Sequence, residues 1–151
     1  MEKIYIKKSN IKGKGLFAKR DIEKGELIGI VKGKIVPDNK YSYKKYNPNY
    51  LHPISYKKAI LNKNKTKYTN HSCNPNAGLK KGIRIIALKN IKKDEEITID
   101  YDTLEYNWKM KCNCKSKNCR KIIKGYKFLN QKLKKKYKGF ISPYLLKKPK
   151  L

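Results

Sequence analysis

Four cysteines carry the first chemistry that can be read in this chain. Three stand together in Cys112-Asn113-Cys114-Lys115-Ser116-Lys117-Asn118-Cys119, a C-x-C-x4-C segment, and the fourth, Cys73, lies far upstream. Three thiolates on one short loop repel one another unless a divalent cation reconciles them, and zinc in closed structural sites takes four ligands in a tetrahedron. Three local ligands therefore ask for a fourth from elsewhere, and Cys73 is the only further cysteine. Four free thiols or two disulfides are the alternatives, and His71 is a rival ligand. Cys112 and Cys114 would bridge each other only with strain, whereas the flanking lysines lower thiol pKa values and favour metal. The pattern points to one structural Zn2+ on Cys73, Cys112, Cys114 and Cys119.

Short strands are what the sequence offers to position these groups. Ile4 to Lys7 alternate, Asn10 to Gly15 form a turn, and Leu16-Phe17-Ala18 open a second apolar stretch. Asp21 to Glu26 read as a turn before Leu27 to Val36, a β-branched run between glycines. From about residue 37 to 67, tyrosine, lysine, asparagine and proline show no sustained period. This insert reads as irregular, with short strands near Tyr50-Leu51 and Ile60-Leu61. Order resumes in the strand Gly82 to Leu88, the turn Asn90 to Glu95, and the strand Glu96 to Tyr101. Gly125 to Leu133 carry apolar residues at helical spacing, and Gly139 or Pro143 would end a helix there.

The 151 residues suit one folded unit with a tail. A net charge of +29 draws such a chain toward polyanions, but only three of its forty basic residues are arginines. Lysine lacks the fork that reads base edges, so phosphate contact independent of sequence fits better than base readout. Codon bias toward Lys, Asn, Ile and Tyr is the plainer account of the same charge. The start lacks a signal-peptide core and no apolar run is long enough to span a bilayer, so the expectation is an intracellular protein of cytoplasm or nucleus, without a membrane partner.

Asn70-His71-Ser72-Cys73-Asn74-Pro75-Asn76-Ala77, then Asp94-Glu95-Glu96-Ile97-Thr98-Ile99-Asp100-Tyr101, then C-x-C-x4-C, resemble the SET-domain protein lysine methyltransferases with a post-SET zinc loop. Lys12-Gly13-Lys14-Gly15-Leu16-Phe17-Ala18 is similar to the family's first glycine motif, so four motifs occur in family order over residues 12–119. The resemblance implies a mostly β fold of small curved sheets. A pseudoknot would form where the segment around Asn70–Asn76 meets the strand leading to Tyr101, and a zinc loop and a short C-terminal helix would follow. It divides the chain into a SET domain over 1–107, a zinc loop over 108–124 and a basic extension over 125–151. A small member without pre-SET cysteines resembles viral and bacterial relatives.

The same resemblance implies S-adenosylmethionine as methyl donor, with S-adenosylhomocysteine as product. Lys14, Gly15, Leu16, Asn70, His71 and Tyr101 inherit donor contacts, and Trp108 and Ile122 are placed where the zinc loop closes over the adenine. Tyr101 matches the catalytic tyrosine, and Ile99, Tyr50 and Tyr68 are assigned to the substrate channel. Ile99, apolar two residues before that tyrosine, implies di- or trimethylation. Asp100 and Asp102 read as structural or solvated, and Glu95 and Glu96 as turn residues. Methyl transfer from a sulfonium to an amine is an in-line displacement, so alignment, desolvation and loss of a proton from an amine of pKa about 10.4 are the main demands. The expected substrate is a histone tail or another basic chromatin protein, with non-specific DNA or nucleosome contact through the tail, in a monomer or homodimer. The competing reading is an inactive, basic, zinc-containing module that binds nucleic acid or chromatin.

Overall fold

The computed structural model describes residues 2–150. In chain order it runs β1 (Ile4–Lys8), β2 (Lys14–Ala18), β3 (Leu27–Ile30), β4 (Gly33–Pro37), α1 (Lys40–Lys45), β5 (Leu51–Pro53), β6 (Lys58–Asn62) and β7 (Asn70–His71). There follow β8 (Ala77–Lys80), β9 (Arg84–Ala87), β10 (Glu96–Ile99), β11 (Met110–Lys111), β12 (Ile122–Ile123) and α2 (Gln131–Lys136). The strands form small sheets in the orders β1-β2-β10-β7, β3-β9-β8, β4-β6-β5 and β11-β12. This is the mostly β architecture that the motifs implied.

The first sheet builds the site. β1 and β2 form a hairpin whose turn places Gly13 at φ +51°, and Ser9 Oγ accepts from the N–H of Ile11 at 2.9 Å. β10 pairs antiparallel with β2 through Ile97 and Leu16, and parallel with β7 through Thr98–Asn70 and Ile99–His71. Ser72 N–H extends that pairing to the carbonyl of Ile99 at 3.0 Å. A parallel pair needs a long crossover, and residues 72–95 supply it, carrying β8 and β9 on the way. The two segments expected to meet in the pseudoknot thus lie side by side. Beneath them Leu16, Ile22, Leu79, Ile85, Ile91 and Ile97 are almost wholly buried in one apolar core. Truncating any of them to alanine costs about 2–5 kcal/mol.

The apolar run expected from Leu27 to Val36 divides between two sheets. β3 pairs with β9, the chain turns at buried Val31, and β4 pairs with β6. Gly33 opens β4 because a Cβ there would lie 1.8 Å from the carbonyl oxygen of Leu61. The insert is more ordered than its composition implies. Asn39 caps α1 by accepting from Ser42 N–H, and β5 and β6 lie close to the two expected strands.

The C-terminal residues are packed against the body. Leu129, Tyr137, Ile141 and Leu145 are buried together, with Leu88, Tyr106 and Tyr144 against them, and Ser142 N–H donates to the Thr103 carbonyl at 2.8 Å. The helix there is shorter and later than the apolar spacing suggested, starting at an Asn130 cap and ending before Gly139 at φ +85°. Phe128 stays exposed, while Leu129 is buried. No described helix is long and apolar enough to cross a membrane.

Candidate active site and metal centre

β10 ends at the candidate site. Ile99 points its buried side chain toward a cavity of about 540 Å³, and the chain then tightens into a 3-10 turn over Tyr101–Thr103, capped by Asp100 accepting from Asp102 N–H at 3.0 Å. Tyr101 is fixed at both ends. Its hydroxyl donates to the Thr69 carbonyl at 2.7 Å, and its N–H donates to His71 Nδ1 at 3.1 Å. The rings of His71 and Trp108 stand 5.4 and 6.0 Å from its own. Burial, with the charges of Glu96 and Glu105, pushes the phenol well above its ordinary value of 10, so it is an un-ionised hydrogen-bonding group near neutrality.

His71 joins this turn to the cysteines. Its Nδ1 is an acceptor, so the ring proton sits on Nε2, which donates toward Cys73 Sγ at 3.3 Å. Burial lowers its pKa to about 4, outweighing Asp100, so the 3.7 Å approach to Asp100 is not an ion pair at neutral pH.

Asn70, one residue earlier on β7, reaches the glycine motif. Its Nδ2 donates to the carbonyls of Lys12 at 3.2 Å and Lys14 at 3.1 Å, and to Glu96 Oε1 at 2.8 Å. Glu96 is no turn residue but the first of β10, and its carboxylate also accepts from Ser9 Oγ at 2.8 and 2.9 Å. Gly15 leaves the room that this requires, since a Cβ would lie 2.3 Å from Glu96 Oε1.

The four cysteines converge. Their Sγ atoms all lie within 4.8 Å of one another, and Cys73 and Cys112 are 3.7 Å apart. A tetrahedron with zinc–sulfur bonds near 2.3 Å has edges of about 3.8 Å, so the set fits zinc, and all four are free thiols. Backbone N–H groups also aim at the sulfurs, from Arg120 to Cys73 at 3.3 Å, Cys73 to Cys114 at 3.5 Å and Lys121 to Cys119 at 3.4 Å. Burial opposes ionisation at both buried sulfurs: it pushes the Cys73 thiol up to about 11, whereas at Cys114 the N–H of Cys73 and the groups of Ser116 overcome it and lower the thiol to about 6, toward the thiolate a metal needs. Arg120 then reaches back from the loop. Its guanidinium holds Asp100 at 2.9 and 2.7 Å and Asp102 at 3.0 Å, and Asp102 accepts from Gly125 N–H at 2.6 Å.

The cavity gathers most of the expected site residues: Lys14, Tyr50, Tyr68, Asn70, His71, Ile99, Tyr101 and Trp108 all line it. Tyr50 and Tyr68 meet edge to face at 6.0 Å with Lys67 Nζ over both rings. Three expected residues lie elsewhere. Leu16 is in the apolar core, Gly15 faces Glu96, and Ile122 is exposed on β12, whose neighbour Ile123 instead packs against the cysteines. Two features were missed from sequence, the Glu96 hub and the Arg120 pairs. The only local signal for the second is an arginine, rare in this chain, directly after the last cysteine.

A small-molecule ligand fits this cavity. Its volume lies in the range of roughly 300–1,000 Å³ usual for such sites. Among the described residues Trp108 Nε1 is buried without a hydrogen-bond partner, in the wall of the same space.

The family model described as SET domain matches residues 13–102. The chain belongs to the SET-domain family. This SET-domain protein is 30% identical to human histone-lysine N-methyltransferase 2B, over 81% of its own length and 5% of that protein. It is 31% identical to the Arabidopsis thaliana histone-lysine N-methyltransferase ASHH3, over 74% of itself and 35% of that protein. It is also 31% identical to the Candida glabrata histone-lysine N-methyltransferase, H3 lysine-36 specific, over 81% of itself and 20% of that protein. The SET-domain protein therefore spans about a third or less of these relatives. A chain from the humanized mutant of the Chaetomium thermophilum Polycomb Repressive Complex 2 bound to the inhibitor GSK126 superposes with TM-score 0.56 and 25% identity, over 65% of this chain and 14% of that one.

Proposed function

We propose that this SET-domain protein is an S-adenosylmethionine-dependent protein lysine N-methyltransferase acting on a histone or another basic chromatin protein. The observation that carries this reading is a single cavity holding both the Asn70-His71 pair and Tyr101, whose hydroxyl is fixed on the Thr69 carbonyl. When bound, S-adenosylmethionine supplies an electrophilic methyl group on a sulfonium. Asn70, His71, the main chain at Lys12–Lys14 and the free Trp108 Nε1 are the groups of this chain suited to hold it. Tyr101 and the Thr69 carbonyl orient the accepting amine. Cys73, Cys112, Cys114 and Cys119 hold zinc, which fixes the loop carrying Arg120 against Asp100, next to Tyr101.

Ile99 leaves the end of the channel apolar, which supports di- or trimethylation. The excess of lysine supports non-specific contact with DNA or the nucleosome, and a chromatin substrate places the protein in a nucleus. Transfer of labelled methyl groups to core histones tests the reading, with Tyr101→Phe alongside. Wild type transfers label, and the variant falls by about 10²–10³ in kcat, the scale of losing one positioned hydrogen-bonding group at a reacting centre. Donor binding by wild type without transfer to any histone or extract protein would favour an inactive binding module.

A further inference from the structure

Among the described residues Glu105 is a half-buried acid whose carboxylate has no ion-pair or hydrogen-bond partner. Its N–H donates to the Tyr101 carbonyl at 2.9 Å, it is half-buried, and it lines the same cavity as Tyr101, Ile99 and Trp108. Among the described residues no lysine, arginine or histidine forms an ion pair with its carboxylate. Forty basic residues are available in the chain, and most of its other acids are engaged. Glu2, Asp21, Glu26, Asp100 and Asp102 hold lysine or arginine, while Glu95 and Glu96 accept from asparagine amides. Asp38, just past β4 at the edge of the insert, adds a second negative charge near Glu105, and Tyr43 of α1 stands beside it. Glu105 lines the cavity whereas Asp38 does not, so of the two acids Glu105 is the one that a group entering the cavity can reach.

We infer that Glu105 is a specificity residue, which receives the cationic side chain of an arginine or lysine flanking the methylated lysine of the substrate. The inference rests on the methyltransferase reading of the cavity. A carboxylate kept half-buried and unpaired costs stability unless an arriving cation completes it, and a charge-assisted hydrogen bond to guanidinium is the strong form of that contact. It also gives a chain of net charge +29 a local means of accepting a basic peptide.

The test uses the full chain and synthetic peptides with one lysine, each carrying arginine or its neutral isostere citrulline at one flanking position. Fluorescence anisotropy reads binding, with S-adenosylhomocysteine present, and mass spectrometry reads methyl transfer. Wild type is expected to prefer arginine over citrulline about tenfold at one position, and Glu105→Gln to reduce that ratio to near one. An equal response of wild type to both peptides, or an unchanged ratio in a folded Glu105→Gln, overturns the assignment while leaving the methyltransferase reading intact. Failure of wild type to bind or methylate any peptide, histones included, sinks that reading and this one with it.

Discussion

Replacing Glu105 by glutamine should stabilise the protein, and only above a defined pH. Burial first, and the nearby charge of Asp38 second, raise this carboxyl from an ordinary 4.5 to about 7. The folded state thus prefers it protonated, whereas the unfolded chain ionises it near 4.5. Between those values unfolding releases a proton, so the wild type loses stability as pH rises from about 4.5 to about 7, and the loss is complete above 7. Each tenfold change in proton affinity is worth about 1.4 kcal/mol, which gives an upper figure of roughly 3 kcal/mol. Partial exposure of the side chain screens the charge, so about 1–3 kcal/mol is the working range. Asp38, Tyr43, Tyr101 and Tyr144 are the titratable groups that feel this carboxylate, and the three phenols stay protonated over that window.

Paired thermal melts of wild type and Glu105→Gln from pH 4.5 to 8.5 check the sign and the window. At 151 residues each kcal/mol moves the midpoint by about 2–4 °C, so the variant should match wild type near pH 4.5 and melt about 2–12 °C higher at pH 8. Taking the difference removes the contribution of His52, which burial lowers to about 4 and which weakens both proteins alike in acid. A constant offset across the range, or a variant less stable than wild type at pH 8, would show that Glu105 has a partner in the folded state and would refute the reasoning.

Arg120→Ala leaves Asp100 and Asp102 buried and unpaired, and denaturant unfolding should show a loss of about 3–5 kcal/mol, with a smaller loss for Arg120→Lys. Metal analysis should find one zinc per chain. A chelator should abolish methyl transfer at concentrations that leave far-ultraviolet circular dichroism unchanged, because the cysteines hold the loop while the main core lies elsewhere; simultaneous loss of both signals would contradict this. Gly33→Ala should cost about 1–3 kcal/mol or more, since the added Cβ meets the backbone of Leu61, and an unchanged midpoint would exclude the close β4–β6 approach. Ile99→Tyr should leave monomethyl product dominant by mass spectrometry, if Ile99 sets the room at the channel end.

Elements whose signal is local could be read in advance. The alternation of β1 and β10, the glycine turn before β2 and the C-x-C-x4-C loop each declare themselves within a few residues, and their order along the chain pointed to the fold. Elements defined by a distant partner could not. β8 is Ala77-Gly78-Leu79-Lys80, a poor strand by propensity, and it forms because β9 pairs with it and Phe140 fills the space over Gly78. β3 and β4 read as one run because nothing at Val31 says that β9 and β6 belong to different sheets.

The same division runs through the site. Spacing pointed to Tyr101, Asn70 and Cys73, but not to the groups that hold them, because an acid names no partner in sequence. Glu95 and Glu96 are adjacent and chemically alike, yet Glu95 takes Asn76 while Glu96 takes Asn70 and Ser9 and so ties β7 to the hairpin turn. Asp100 and Asp102 differ from Glu105 by a few positions, and beside the Tyr101 turn the first two are buried and the third half-buried. Two are answered by Arg120 from the cysteine loop, and the third is answered by nothing in the described chain. In a protein so rich in lysine, a carboxylate left open is more informative than one that is paired, and its missing cation is therefore to be sought in the substrate.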